Sequence, residues 1–248
     1  MSARALQEIV VCAHFGCGFV DAMLATDDVT DAERAAFRAV DPRAFRCDAE
    51  RQHRAIAAVL EELPVTIAIA GLDAAYALFH DVEGFGAVVR RHLPMSVCFA
   101  ERLVPLAGDA ARLEGAVARA RRRHGRGLGV ARADGVEVVE VGATALVQWQ
   151  QARVLLGDDG VGAVGRGQRV PRLRDDDERC FVLVEPAAGS WSIAGCSAPL
   201  AGLLQALDVA VDEATAVAVA KVHGCDDDDE ARALLNDLVA DGLLCRRM

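Results

Sequence analysis

Three soft metal ligands fall within six positions near the amino terminus, in Cys12-Ala-His14-Phe-Gly-Cys17. Thiolate and imidazole together suit zinc, which takes four such ligands in a closed structural site. No second cysteine pair at zinc spacing completes the set. On a continuous helix, positions 12 and 17 point about 140° apart at 3.6 residues per turn, so the ligands diverge. Burial as small apolar groups is the expectation for these cysteines, and no metal is expected in the chain. His80, His92 and His53 are isolated, which suits surface or satisfied core groups. Gly157-Asp-Asp-Gly-Val-Gly162 and Gly162-Ala-Val-Gly165-Arg-Gly167 lack the Gly-Lys-Ser/Thr ending of a phosphate loop, and no dinucleotide fingerprint adjoins them. The run Asp226 to Asp229 lacks the alternating ligands and closing Glu of a calcium loop. Carboxylates favoured at a helix amino terminus explain it more simply. Ser190 and Ser197 have no nucleophile's neighbours. Catalytic residues are therefore not expected.

The 248 residues are 53% apolar, enough for one large or two ordinary domains. No stretch approaches the roughly 18 to 20 uninterrupted apolar residues that span a bilayer, and the amino terminus lacks a signal-peptide pattern. A cytoplasmic protein without a membrane partner is expected. The eight cysteines are scattered, mostly inside apolar runs, which argues against a disulfide framework. Net charge is −10, and from Arg174 to Met248 six Lys or Arg face fifteen Asp or Glu, a net of −9. Such a surface repels phosphate backbones, so no nucleic-acid partner is expected. One basic cluster stands apart: Arg119, Arg121, Arg122, Arg123 and Arg126. Arginines at a helix end complement its dipole. The functional alternative is a contact for an acidic partner segment.

The elements that must position any site read as helical up to about residue 124. A first helix carries Leu6, Ile9 and Val10, Thr30-Asp-Ala-Glu33 is a capping box, and Asp48 can cap a helix buried through Ile56, Val59, Leu60 and Leu63. Shorter helices are predicted over Asp73 to His80 and Glu83 to His92. Pro94 and Pro105 bracket another, and Asp109 to Arg123 buries Leu113, Ala116, Val117 and Ala120. Gly125 to Gly129 reads as a linker, Val136 to Val141 and Ala145 to Leu156 as strands, and Gly157 to Arg169 as a turn or loop. Cys180 to Glu185 and Ser190 to Ile193 follow as two strands around a turn at Pro186 to Gly189. Three helices close the chain: Pro199 to Leu207, Glu213 to Val222 opened by Asp212, and Glu230 to Asp241 stopped by Gly242.

That closing order carries Pro199-Leu-x-x-Leu203-Leu204, an acidic helix start and Leu234-Leu-x-x-Leu238-Val-x-x-Gly242-Leu-Leu244. It resembles the PqqD-like recognition element, a small winged-helix-like domain that holds the leader of a ribosomally made precursor peptide. The amino-terminal half is similar to the helical domain of partner proteins that accompany multinuclear non-heme iron oxidative enzymes, the methanobactin-type partner among them. The residues that carry this second resemblance are Thr30-Asp-Ala-Glu-Arg34, Asp41-Pro-Arg-Ala-Phe45, Arg51, Arg54, Leu63-Pro64 and Ala110-Ala-Arg-Leu-Glu-Gly-Ala116.

The expected fold is therefore α+β, with a helical enzyme-docking domain over 1–124, a linker and strand-containing connection over 125–178, and a PqqD-like domain over 179–248. The resemblance implies a non-catalytic subunit in a 1:1 heterodimer with an iron-dependent TIM-barrel oxidase, holding no cofactor itself and presenting the precursor. It also implies that the leader adds beside Ser190 to Ala194 and packs on the third helix. The residues expected to line that groove are Trp191, Ile193, Arg232, Leu235, Asn236 and Val239. A winged-helix nucleic-acid-binding regulator is the leading alternative, and a metal enzyme using Cys12, His14 and Cys17 is a third.

Overall fold

The computed structural model describes residues 6, 7, 9, 10, 24, 25, 29–41, 49–78, 81, 94–124, 127–174, 178–187 and 190–247. Over these residues the chain is α+β. The Cys12-His14-Cys17 cluster, Asp48, the helix expected over Glu83 to His92 and Arg126 lie outside them. Packing divides the chain into two units, Met1–Ala111 with Ala152–Arg172, and Arg112–Gln151 with Leu173–Met248. This differs from the expected division, because 125–178 is no plain connection. Its first part supplies strands to the second unit, and its later part returns to the first.

In the first unit, α1 (Asp31–Ala39) begins at the capping box read from the sequence. Helix α2 (Ala49–Glu62) buries Ile56, Val59 and Leu60 at helical spacing, and Leu63 behind them is fully buried. Helix α3 (Pro64–Ala70) starts on a proline, which costs nothing where the amide would be unpaired anyway. Val65, Thr66, Ile67 and Ala68 are all buried, so α3 is the centre of this unit. It packs on α4 (Leu72–Ala77) and α5 (Met95–Ala107). Gly71 joins α3 to α4 at φ 97°, a backbone conformation that favours glycine, and the Arg169 guanidinium lies over it. Helix α5 runs through Pro105 rather than stopping there, since the lost hydrogen bond falls in its last turn before Gly108. Helix α8 (Gly160–Gly165) packs on α2 and α3 and lies where only a loop was expected. The Asp159 side chain caps it by accepting the Gly162 N–H.

Two helices run from one unit into the other: α6 (Asp109–Ala120) and α7 (Ala145–Leu156). The strand expected over Ala145 to Leu156 is thus a helix. Its valines and tryptophan favour a strand locally, but the buried residues Ala145, Trp149, Ala152 and Leu156 recur at helical spacing.

The second unit holds β1 (Gly129–Arg132), β2 (Glu137–Gly142), β3 (Arg179–Ala187), β4 (Ser190–Cys196), α9 (Ala198–Ala206), α10 (Glu213–Val222), α11 (Asp228–Ala240) and β5 (Leu244–Arg247). Strands β2, β3 and β4 form an antiparallel sheet in that order, and β1 pairs antiparallel with β5. Val130 of β1 also bridges Val211, and Gly129 at φ 114° allows this approach, since a Cβ would lie 2.1 Å from the Val211 carbonyl oxygen. The three-stranded sheet is covered on both faces. On one, Val138, Phe181, Leu183 and Cys196 pack into a core built from α9, α10 and α11, with Leu203, Leu204, Leu207, Val217, Leu235 and Leu238 at its centre. On the other, Val139, Val141, Val182 and Val184 are buried too. Burial on both faces explains why the middle strand β3 reads as an unbroken apolar run from Cys180 to Val184.

The capping box sets an acid response. The Glu33 carboxylate accepts the Thr30 backbone N–H at 2.9 Å and its hydroxyl at 2.8 Å. These bonds from Thr30 lower the Glu33 carboxyl from its ordinary 4.5 to about 2. A lowered folded-state pKa means that the box is fully formed above the ordinary value and is lost as pH falls towards the lowered one. The protection of the α1 amides relative to their intrinsic exchange rates should therefore be steady from pH 7 to 5 and fall as pH drops from 4.5 to about 2. The Glu33→Gln variant should lack that step.

Candidate functional site

The sequence placed six residues in one groove, and the pairing register separates them. Trp191 stands opposite Pro186 and Ile193 opposite Val184. Since side chains alternate along a strand, Trp191 and Ile193 share the face of Val182 and Val184. The core of α9, α10 and α11 lies against the other face, with Phe181 and Leu183. Both residues are half-buried, and the Trp191 ring lies by Gly135, where a Cβ would come within 3.8 Å of it.

Four of the six are on α11. Leu235 is 0% exposed and belongs to the core, so it cannot line an open groove. Its place in the Leu234-Leu235-Leu238 stripe signals burial, and the structure puts it at the centre of that stripe. Val239 is half-buried against the same core. Arg232 is exposed but pairs within its own helix, with Asp228 at 3.6 Å and Asp229 at 3.3 Å. The Asn236 side-chain oxygen accepts a hydrogen bond from Arg246 at 2.8 Å, and Arg246 also pairs with Glu213 at 2.9 Å. Asn236 thereby ties α11 to β5 and α10, in keeping with the packing of α11 on those two elements.

Strand β4 itself is the more informative feature. It pairs with β3 on one side, and among the described residues no strand pairs with its other edge. The residues on its helix-facing side are Ser192, Ala194 and Cys196, opposite Glu185, Leu183 and Phe181. Ala194 and Gly195 are exposed. Burial raises the Cys196 thiol above its ordinary range, and the neighbouring Cys180 raises it further, so Cys196 stays a neutral thiol. Sequence reading missed Ser192, Ala194 and Cys196, because alternation alone does not say which side of a strand meets the helices. Only the pairing of Cys196 with Phe181 does.

The opposite end of the sheet is held by charge. Glu137, at the start of β2, meets Arg119 of α6 at 3.3 Å, Arg132 of β1 at 3.4 Å and Arg123 at 3.6 Å. Arg123 also reaches Asp208 at 2.5 Å, and Arg132 pairs with the same carboxylate. Arg132 is only 4% exposed, and burial lowers its pKa against the pull of Glu137. Two arginines of the basic cluster are therefore spent inside the chain. Arg122 donates to the Ala118 carbonyl at 3.0 Å, the helix-end role expected of it. Nearby, the Trp149 indole N–H donates to the buried Glu114 carboxylate at 3.3 Å.

Among the described residues no group of three His, Cys, Asp or Glu side chains could hold a metal ion. No described helix is long and apolar enough to cross a membrane. Compared with known proteins, the chain matches no family model, and no curated protein matches it.

Both tryptophans of the chain, Trp149 and Trp191, belong to the second unit, so intrinsic fluorescence during urea unfolding reports on that unit. Glu137→Gln should cost about 3 kcal/mol, because it strips counter-charge from guanidinia that stay buried. Leu235→Ala should cost about 3 kcal/mol through lost burial and a cavity. Arg232→Ala should stay within about 0.5 kcal/mol of the parent, as exposed substitutions do. A Glu137→Gln midpoint equal to the parent's would show that the cluster is solvated rather than buried.

Proposed function

We propose that this chain is a non-catalytic partner subunit, which captures the leader of a ribosomally made precursor peptide and presents the peptide to an iron-dependent oxidase. The observation that carries this reading is the open edge of β4. An edge strand offers unpaired backbone N–H and C=O groups, and an extended peptide can satisfy them by adding as a further strand. Backbone pairing supplies affinity without regard to sequence. The side chains beside the edge, Ser192 and Ala194 on the helix-facing side and Trp191 and Ile193 on the other, then select which peptide fits.

The order of the second unit, a hairpin of β3 and β4 followed by α9, α10 and α11, supports a winged-helix-like, PqqD-like reading of this part. Charge supports a peptide over DNA. Asp227, Asp228, Asp229 and Glu230, all exposed, stand at the start of α11, the helix a winged-helix protein would bring to the double helix. They would repel its phosphates. The iron belongs to the partner enzyme in this proposal, and the subunit's contribution is proximity. Holding the leader raises the effective concentration of the core peptide at the enzyme from bulk levels towards the millimolar range of a short tether. The first, helical unit is the proposed dock for the enzyme, in a 1:1 complex.

The test uses the full chain and the peptide encoded by a short reading frame beside its gene. Titration should show saturable binding, and amide exchange should slow along β4 when the peptide is bound. Ala194→Glu should weaken binding by about tenfold while fluorescence-monitored stability stays within about 0.5 kcal/mol, since Ala194 is exposed. Undiminished affinity in that variant would move the peptide off β4. Binding of duplex DNA that falls steeply with salt would replace the proposal with the regulator reading.

Elemental analysis checks the division of labour. The isolated chain should carry far less than one iron, and the co-purified complex should carry the enzyme's iron. Near-stoichiometric metal in the isolated chain, lost on Cys12→Ser with His14→Ala, would make this chain the metal protein.

A further inference from the structure

Hydrogen-bond alternation in the sheet fixes which backbone groups of β4 point outward. In an antiparallel pair, residues that exchange both hydrogen bonds alternate with residues that exchange none. The Ala143 N–H donates to the Glu178 carbonyl at 2.9 Å, one step beyond the pair of Gly142 and Arg179. Cys180, Val182 and Val184 therefore bond towards β2, and Phe181, Leu183 and Glu185 towards β4. Pro186, which has no N–H to give, falls at a non-bonding position opposite Trp191, in step with that alternation. On β4 the residues that bond to β3 are then Ser192, Ala194 and Cys196. The N–H and C=O groups of Trp191, Ile193 and Gly195 point away from the sheet. Natural edge strands avoid one another through charged side chains, prolines and bulges. Strand β4, Ser-Trp-Ser-Ile-Ala-Gly-Cys, has no charge and no proline, and its register with β3 runs without a bulge.

We propose that β4 pairs with β4 of a second copy of this chain, antiparallel about a two-fold axis at Ile193. That axis sets Ile193 against its own copy and Trp191 against Gly195 of the partner subunit. All three pairs are of the bonded kind, so every outward N–H and C=O of Trp191, Ile193 and Gly195 is satisfied. An axis at Ser192 or Ala194 would carry Gly195 or Trp191 past the end of the strand. Trp191 and Gly195 lie on one face, so the ring covers backbone that the partner's Gly195 leaves bare, and facing isoleucines add a favourable cross-strand contact. On the helix-facing side Ser192 meets the partner's Ala194, both small enough for the close approach of a non-bonded pair. The two three-stranded sheets continue as one. The pairing is argued from the β4 edge alone. Under the proposed function the dimer is the peptide-free form, since a leader needs the same outward groups; that consequence alone rests on peptide capture.

The test uses the full chain without peptide, so it is decided separately from peptide capture. Sedimentation over roughly 1 μM to 1 mM, the range of weak association, should show a monomer in equilibrium with a dimer. Each copy carries a net charge of −10, so the dimer should tighten as added salt screens the repulsion. Amide exchange at Trp191, Ile193 and Gly195 should slow as the dimer forms, while Ser192 and Ala194, already bonded to β3, should not change. Gly195→Pro removes an outward N–H and leaves the pairing with β3 intact, and Ile193→Lys sets two like charges face to face at the axis. Each should raise the dimer dissociation constant about tenfold or more while keeping the helical circular dichroism of the parent. A monomer throughout that range would overturn the proposal. So would a dimer that neither variant weakens, or one whose slowed amides lie off β4.

Discussion

Val182 and Val184 of the middle strand are wholly buried on one face, while Phe181 and Leu183 pack into the helical core on the other. A sheet with both faces covered exists only as the inner layer of its unit, so β2, β3 and β4 depend on helices that come both before and after them in the chain. Helices α9, α10 and α11 supply one cover, and on the other face α6 reaches the sheet through Arg119 and Glu137. Such a sheet has only its edges left to offer another molecule. That is the physical reason for assigning the proposed peptide site to β4 rather than to a sheet face.

The two ends of that sheet are treated differently. At the start of β2, Glu137 joins Arg119, Arg123, Arg132 and Asp208 in a network that ties together α6, β1, β2 and the turn after α9. Ions taken from water lose several kcal/mol of hydration each, so their attraction offsets a cost more than it adds stability. What the network supplies is position, since apolar groups would tolerate slippage that paired charges forbid. The β4 edge has no comparable clamp among the described residues, which leaves it available for pairing.

Charge gives the molecule a second consistent feature. The net charge is −10, and the first turn of α11 carries Asp228, Asp229 and Glu230. Complementary partners would be basic or neutral, drawn in by long-range attraction and then held by short-range contacts. The arginine cluster seen in the sequence does not counter this, because Arg119 and Arg123 are already paired with internal carboxylates.

Local signals were legible in the sequence wherever their cause is local. The Thr30-Glu33 box, the Asp212 cap, the acidic start of α11 and the buried stripe of α2 all depend on residues within a turn or two of each other, and each stands where the sequence puts it. The α+β class follows from the same signals. Tertiary structure alone decided the rest. Whether Ala145 to Leu156 became helix or strand depended on what its apolar residues met, because the same residue types serve both. Strand β1 joined the second unit through partners more than a hundred positions away, as Gly129 with Arg247 shows, and β2 through the nearer β3, as Glu137 with Val184 shows. Which face of β4 meets the helices was settled by the pairing of Cys196 with Phe181, and that one register put Trp191 and Ile193 on the opposite side from α11. Side chains alternate with a period of two, so a sequence reveals that a strand has two faces, and only its neighbours determine which face looks inward.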